Sequence, residues 1–261
     1  MSELAFIQCV LIAITFIWSG FVRSGLGFGG AVLSLPFLLL IHNDALLYLP
    51  IISLQLLFFS GLILFQNHRA RKQHLKMGVS QEGSIDWAYL KKALLIMIIP
   101  KLIGVFGLIT LPATIMGLII FTIVSVYAIT YILNKPFKSQ HKSLDIVFLM
   151  LGGYISGTSL IGAPLLTAVF AMHVSKHQLR DTLFALWAIL VAIKVGAFIY
   201  LNVDFQLIHH LWLLPCAGIG HLLGLKFHQK LQQTDSVTFY RILGTMLLIV
   251  SFIGLARTLT L

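Results

Sequence analysis

Residues 20–36 read Gly20-Phe21-Val22-Arg23-Ser24-Gly25-Leu26-Gly27-Phe28-Gly29-Gly30-Ala31-Val32-Leu33-Ser34-Leu35-Pro36, and residues 152–164 read Gly152-Gly153-Tyr154-Ile155-Ser156-Gly157-Thr158-Ser159-Leu160-Ile161-Gly162-Ala163-Pro164. Each stretch is a Gly/Ser-rich break inside a hydrophobic run, and each opens a short apolar segment. The two lie about half the chain apart. Paired, glycine-interrupted, short hydrophobic segments in two halves point to a transporter-type binding site, because broken helices present their ends in mid-membrane.

Composition agrees with a membrane setting. Hydrophobic residues make up 59% of the 261 and charged residues 10%, against about 25% charged in soluble domains. Apolar runs this long reach across a hydrocarbon core of about 30 Å. Backbone groups in lipid must be bonded internally, so the runs are expected to be helices. The formal net charge of +10 does not indicate nucleic acid, because the Lys and Arg residues gather in short loops, where they set topology. Cys9 and Cys216 both fall in apolar segments, which argues for packed thiols rather than a disulfide framework. Glu3 and no basic residue precedes the first apolar stretch, so that segment is expected to stay in the mature protein.

Ten apolar segments are expected, near 4–22, 26–41, 45–66, 90–109, 112–134, 144–159, 161–174, 179–201, 207–226 and 238–257. The second and seventh are short for a span. Basic residues mark alternate loops: Arg69, Arg71, Lys72 and Lys76, then Lys91 and Lys92; Lys135, Lys138 and Lys142; Lys176 and Arg180; Lys226, Lys230 and Arg241. The intervening loops carry none, so the basic loops are assigned to the cytoplasm and both termini to the outside, with Arg257 the one basic residue against this assignment. Five segments precede residue 135 and five follow it. An odd number per half makes the halves antiparallel. The fold class expected is therefore an all-α polytopic membrane protein with an inverted five-plus-five repeat and short, broken or re-entrant Gly-rich segments in each half. Residues 1–134 form the first repeat, 135–143 a cytoplasmic linker and 144–261 the second repeat. The stretch from Ile98 through Pro100 to Gly104 aligns with that from Leu213 through Pro215 to Gly220, and Gly61 aligns more weakly with Gly196. The first and second segments could both span or could form a re-entrant hairpin, and the same choice holds for the sixth and seventh. Arg23 lies at the cytoplasmic surface in the first arrangement and near the midplane in the second.

A helix N-terminus presents unpaired N–H groups and a partial positive charge, which together suit an anion. Ser24, Gly25, Gly27, Gly29 and Gly30 surround the first such start, and Ser156, Gly157, Thr158, Ser159 and Gly162 the second. Glycine also serves simple close packing of membrane helices; the two breaks together, with Ser, Thr and Pro beside them, favour a site. Arg23, Lys101, Lys194 and His221 fall in or near apolar segments without a carboxylate close in sequence. Charges in a membrane are costly and mark functional candidates. Arg23 reads as a ligand or a topology charge, Lys101 and Lys194 as substrate-path groups or partners of backbone carbonyls, and His221 as a packed side chain or a proton site. No acid/base pair of an enzyme and no His- or Cys-rich metal spacing stands out, and no cofactor is expected. Trp18, Trp87, Trp187 and Trp212 read mostly as packing or interface anchors.

On the stretches Gly20 through Pro36 and Gly153 through Pro164, with the Pro100/Gly104 and Pro215/Gly220 segments, the chain resembles the TauE/SafE family, often labelled sulfite exporters. The resemblance covers nearly the whole layout. The family's second break usually carries a Gly-Gly-Gly-like run, where this chain has Leu160-Ile161-Gly162-Ala163. The resemblance implies a bacterial inner-membrane permease of two similar halves, with about eight spans, handling sulfite or sulfoacetate-like anions. The expected partners are thus a small anion and the lipid bilayer, with a homo-oligomer left open and no nucleic acid. The alternative is a membrane partner or assembly subunit without transport of its own, docking through the basic loop 67–89.

Overall fold

The computed structural model describes residues 5–26, 30–76, 84–135, 137–139, 141–231 and 236–260. Regular structure among them is entirely helical: α1 (Phe6–Leu26), α2 (Gly30–Ile41), α3 (Ala45–Lys76), α4 (Trp87–Thr110), α5 (Ala113–Ile132), α6 (Lys142–Ser159), α7 (Ala163–His173), α8 (Lys176–Tyr200), α9 (Leu207–Leu231) and α10 (Ser236–Thr260). Seven of these, α1, α3, α4, α5, α8, α9 and α10, are long and apolar enough to cross a membrane. By contrast α2 has 12 residues and α7 has 11, about 18 and 17 Å of helix, well short of a hydrocarbon core. The protein is an all-helical, polytopic membrane protein.

Several boundaries differ from the sequence expectation. Residues 67–76, read as the start of a hydrophilic loop, continue α3 instead. The run contains no Gly or Pro and is rich in Arg, Lys and Gln, which are good helix formers. Likewise α9 runs on to Leu231, five residues past the expected end. Downstream, Asp86 starts α4 by accepting a hydrogen bond from the Tyr89 N–H at 2.9 Å, and its own N–H donates to Thr182 Oγ at 3.0 Å. Arg257, the basic residue that opposed the loop-charge pattern, donates to the carbonyl of Leu40 at 2.8 Å, near the end of α2. Cations favour that end of a helix.

At both breaks the chain reverses and forms a helical hairpin. Where α2 begins, Ser19 Oγ donates to the Gly30 carbonyl at 3.3 Å, and a methyl placed on Gly30 would lie 3.0 Å from Arg23 Cβ. In the second hairpin Gly162 closes on the backbone of Gly152, and Leu166 of α7 lies over Gly152. The turn is made by Leu160 at φ 61 and ψ 11, a left-handed cap that costs a non-glycine residue about 1–2 kcal/mol. Both tips are buried: Ser24, Thr158 and Ser159 are each 0% exposed.

The principal packing pairs are α1 with α9, α4 with α6, α5 with α10 and α3 with α8. Exchanging α1 with α6, α4 with α9, α3 with α8 and α5 with α10 returns the same set of pairs. The correspondence reaches single residues. Gly20 meets the backbone of Ala217, as Gly153 meets that of Met97; Gly224 meets the backbone of Phe21, as Gly104 meets that of Tyr154. Gly20-Phe21-Val22 is therefore the counterpart of Gly153-Tyr154-Ile155. The same contacts pair Gly104 with Gly224, not with Gly220 as the proline-anchored alignment expected. The spacing is set by the glycines at the helix crossings, where backbones touch, and not by the prolines, which lie inside α4 and α9.

Candidate functional site

A cavity of about 30 Å³ lies between the two hairpin tips. That is room for about two water molecules. The first hairpin contributes Arg23, Gly30 and Ala31, and the second contributes Ser156, Leu160 and Ala163. Leu56 and Ser60 close it from α3, and Phe184, Trp187, Leu190 and Val191 close it from α8. Each half thus supplies a tip and a long helix.

Arg23 is the charged group of this cavity. It sits in the last turn of α1 and is only 5% exposed. Its guanidinium carbon stands 4.1 Å from the centre of the Phe59 ring, a cation–π contact. Its Nε and Nη2 are buried and have no hydrogen-bond partner among the described residues. Among the described residues no carboxylate pairs with it. Ser60 Oγ and Trp187 Nε1, also on the cavity wall, are buried and without partner among the described residues too. Buried polar atoms are nearly always satisfied, and each exception needs a reason. Four such atoms, Arg23 Nε and Nη2, Ser60 Oγ and Trp187 Nε1, belong to residues lining this one cavity, and each of the four can donate. Leaving a buried donor unmade costs about 1–3 kcal/mol, which an anion accepting from all of them would remove.

The start of α7 adds to this. Its cap, Gly162, offers no side-chain hydrogen bond, and Pro164 occupies the first turn. The early N–H groups, next to cavity-lining Ala163, therefore carry the partial positive charge of a helix start.

The two buried lysines serve the hairpin itself. Lys101 Nζ donates to the Ser156 carbonyl at 2.9 Å and to Ser156 Oγ at 3.0 Å. Lys194 Nζ donates to the carbonyls of Gly157 at 2.7 Å and Thr158 at 3.3 Å. The Gly157 and Thr158 carbonyls lie at the end of α6, past its last helical N–H, whereas the Ser156 carbonyl also accepts from the cap N–H of Leu160 at 3.2 Å. Both side chains are 0% exposed, so the carbonyl-partner alternative is the one the geometry displays. Lys101 reaches the cavity only through Ser156, which lines it.

The remaining expected residues are placed as follows. Ser24 Oγ lies 2.6 Å from His221 Nδ1. Gly25 packs against Gly224, and Gly157 against Lys101 and Gly104, where helices cross. Thr158 and Ser159 hydroxyls donate to the Ile155 carbonyl, each at 3.0 Å. Gly162 packs on Gly152. Gly27 and Gly29 lie outside the described residues. The structure thus brings Arg23, Gly30 and Ser156 to one cavity and sets the other described ones around it. Sequence reading did not single out Ser60 or Phe59, and it read Trp187 as a packing or interface anchor. One signal was present for Trp187: Trp187, Leu190, Val191 and Lys194 recur at helical spacing, so they share one face.

The fold and this site define a polytopic membrane protein with paired helix breaks that meet at a buried, cationic cavity. The family model described as sulfite exporter TauE/SafE matches residues 11–253, and the chain belongs to that family, whose members are membrane transporters rather than enzymes. No curated protein and no solved structure matches the chain.

Proposed function

We propose that the protein is a secondary transporter for small, sulfur-containing anions, sulfite or organosulfonate-like, working in export by alternating access between two inverted repeats. In this reading residues 1–134 and 144–261 are the repeats, 135–143 the cytoplasmic linker, the membrane is the bacterial inner membrane, and both termini face outward. The observation that carries the reading is the ring of unpartnered buried donors, Arg23, Ser60 and Trp187, around a cavity between two hairpin tips. Among the described residues the one charged side chain on its wall is a cation, so the cavity favours an anion. A volume of about 30 Å³ favours the smallest anions of the class. The exchange symmetry of the packing pairs supports two repeats that rock against one another around a shared site. Lys101 and Lys194 add positive potential behind the tip and hold its carbonyls. An inside-negative potential drives anion export without a further energy source, at about 2.3 kcal/mol per charge per 100 mV.

The test is thermal stability of the purified protein across sulfite, sulfate, sulfoacetate, thiosulfate, simple carboxylates and chloride. A ligand at about 100 times its Kd stabilises by about 2.7 kcal/mol. Selective stabilisation by a sulfur oxyanion is expected. No stabilisation by any of these anions contradicts the reading.

A further inference from the structure

The packing register makes His221 of α9 the counterpart of Lys101 of α4. The pairs Ala217/Gly20 and Gly224/Phe21 in one half match Met97/Gly153 and Gly104/Tyr154 in the other. His221 and Lys101 occupy the same place between them. Each reaches across to a serine in the last turn of the broken helix: Lys101 Nζ to Ser156 Oγ at 3.0 Å, His221 Nδ1 to Ser24 Oγ at 2.6 Å. In one half that place holds an ammonium group, and in the other an imidazole, the side chain whose charge changes between about pH 5 and pH 8.

The surroundings of His221 tie its proton to the anion site. His221 is 4% exposed. Its ring centre lies 5.0 Å from that of Phe59, the ring that carries the Arg23 guanidinium at 4.1 Å. Two helices pack on this part of α9: α1, presenting Arg23 and Ser24, and α3, presenting Phe59. Arg23 is the charged side chain that shares the Phe59 ring with the imidazole. The described carboxylates, Asp44, Asp86, Asp145, Asp181 and Asp204, lie in connections or within the first two turns of a helix. With the cavity empty, Arg23 opposes a second positive charge beside it. An anion on Arg23 cancels that repulsion, so a proton on His221 and an anion at Arg23 favour each other, and the coupling is reciprocal.

We propose that His221 is a coupling-proton site: one proton is taken up on the imidazole as the anion binds at Arg23. The proton enters the free ring nitrogen lone pair, no covalent bond to the anion forms, and the Nδ1–H of the imidazolium donates to Ser24 Oγ. This rests on the anion reading of the Arg23 cavity and adds a coupling ion to it. Binding then tightens as pH falls through the titration of His221 and levels off once the imidazole is protonated in the empty protein. The steepest change is about tenfold in Kd per pH unit, the limit for one linked proton.

Calorimetry on the full-length protein tests this, with sulfate, thiosulfate and sulfoacetate as probes because their charge is constant from about pH 5.5 to about pH 8. Titrations near neutral pH in buffers of different ionisation enthalpy count protons bound per anion. Wild type is expected to take up protons on binding, up to one per anion. His221→Gln, which keeps a group able to bond Ser24, is expected to bind more weakly with no proton uptake. His221→Lys is expected to bind at every pH with none. Equal uptake in wild type and His221→Gln overturns the proposal. So does anion binding by wild type that is lost in Arg23→Ala yet moves no protons, which leaves the anion reading intact. Failure of every probe to bind wild type at any pH overturns the anion reading, and the proton site with it.

Discussion

Replacing each buried lysine by methionine separates the job of holding the hairpin from the job of holding the anion. Methionine keeps most of the side-chain volume and removes the ammonium donors, so the change reads the hydrogen bonds. Lys101→Met leaves little orphaned. The Ser156 carbonyl still accepts the Leu160 N–H at 3.2 Å, and the Ser156 hydroxyl is free to turn to a carbonyl one helical turn back. Polar contacts between membrane helices average about 0.6 kcal/mol, so two lost bonds cost about 1 kcal/mol. Lys194→Met is harsher. The Gly157 and Thr158 carbonyls lie at the end of α6, and the bonds from Lys194 are the ones the structure shows closing them. Each buried group left unmade costs about 1–3 kcal/mol, which gives about 2–4 kcal/mol after partial relaxation. For a chain of this size about 2–4 °C of Tm corresponds to each kcal/mol. Thermal unfolding in one detergent should therefore show a loss of about 2–4 °C for Lys101→Met and at least twice that for Lys194→Met. The two changes should be less than additive, because both act on one stretch of backbone. An unchanged Tm in Lys194→Met together with lost anion binding would refute the reasoning, since the lysine would then be a ligand and not a brace.

Other outcomes follow from the same geometry. A methyl on Gly153 would lie 2.9 Å from the Met97 carbonyl oxygen and 3.2 Å from Met97 Cβ, so Gly153→Ala should cost about 1–3 kcal/mol by forcing α4 and α6 apart. Gly61→Ala and Gly196→Ala meet nothing within 4 Å and should leave Tm the same or higher, as a helix gains up to about 1 kcal/mol from that exchange. Trp187→Phe removes a buried N–H that has no partner among the described residues; titration should show anion affinity down by about threefold to tenfold, one ordinary hydrogen bond, with Tm unchanged. Asp86→Ala removes the cap of α4 and should lower stability by about 1 kcal/mol in the same unfolding assay.

Much of the architecture was legible because lipid imposes simple rules. Apolar runs become helices, and the two Gly/Ser breaks are where helices end. What the sequence hid has a physical cause in each case. Residues 67–76 looked like a loop because they are charged, yet a charged run without Gly or Pro extends a helix as readily as it ends one. The register between α4 and α9 was misjudged because Pro100 and Pro215 are conspicuous in sequence, while the contacts are made by Gly104 and Gly224. Within the site, Arg23 and Ser156 were legible from the breaks themselves. Ser60 was not, because helices buried by neighbours and lipid are apolar on every side and give little periodic hint of which face turns inward; Trp187 shares a helical face with Lys194 but reads as an ordinary packing or interface anchor. Lys101 and Lys194 were legible as unusual, and only their distances to the α6 carbonyls showed what they bond.

In the proposed transport cycle an anion crosses the membrane by way of Arg23. The direct measurement is anion flux in proteoliposomes under a set membrane potential, comparing wild type with Arg23→Ala and Arg23→Gln at matched Tm and protein content. Truncating one member of a buried charged pair costs about 2–5 kcal/mol, so sulfite or thiosulfate flux at subsaturating concentration should fall by at least about thirtyfold in both variants while the fold survives. Flux equal to wild type in either variant contradicts the account.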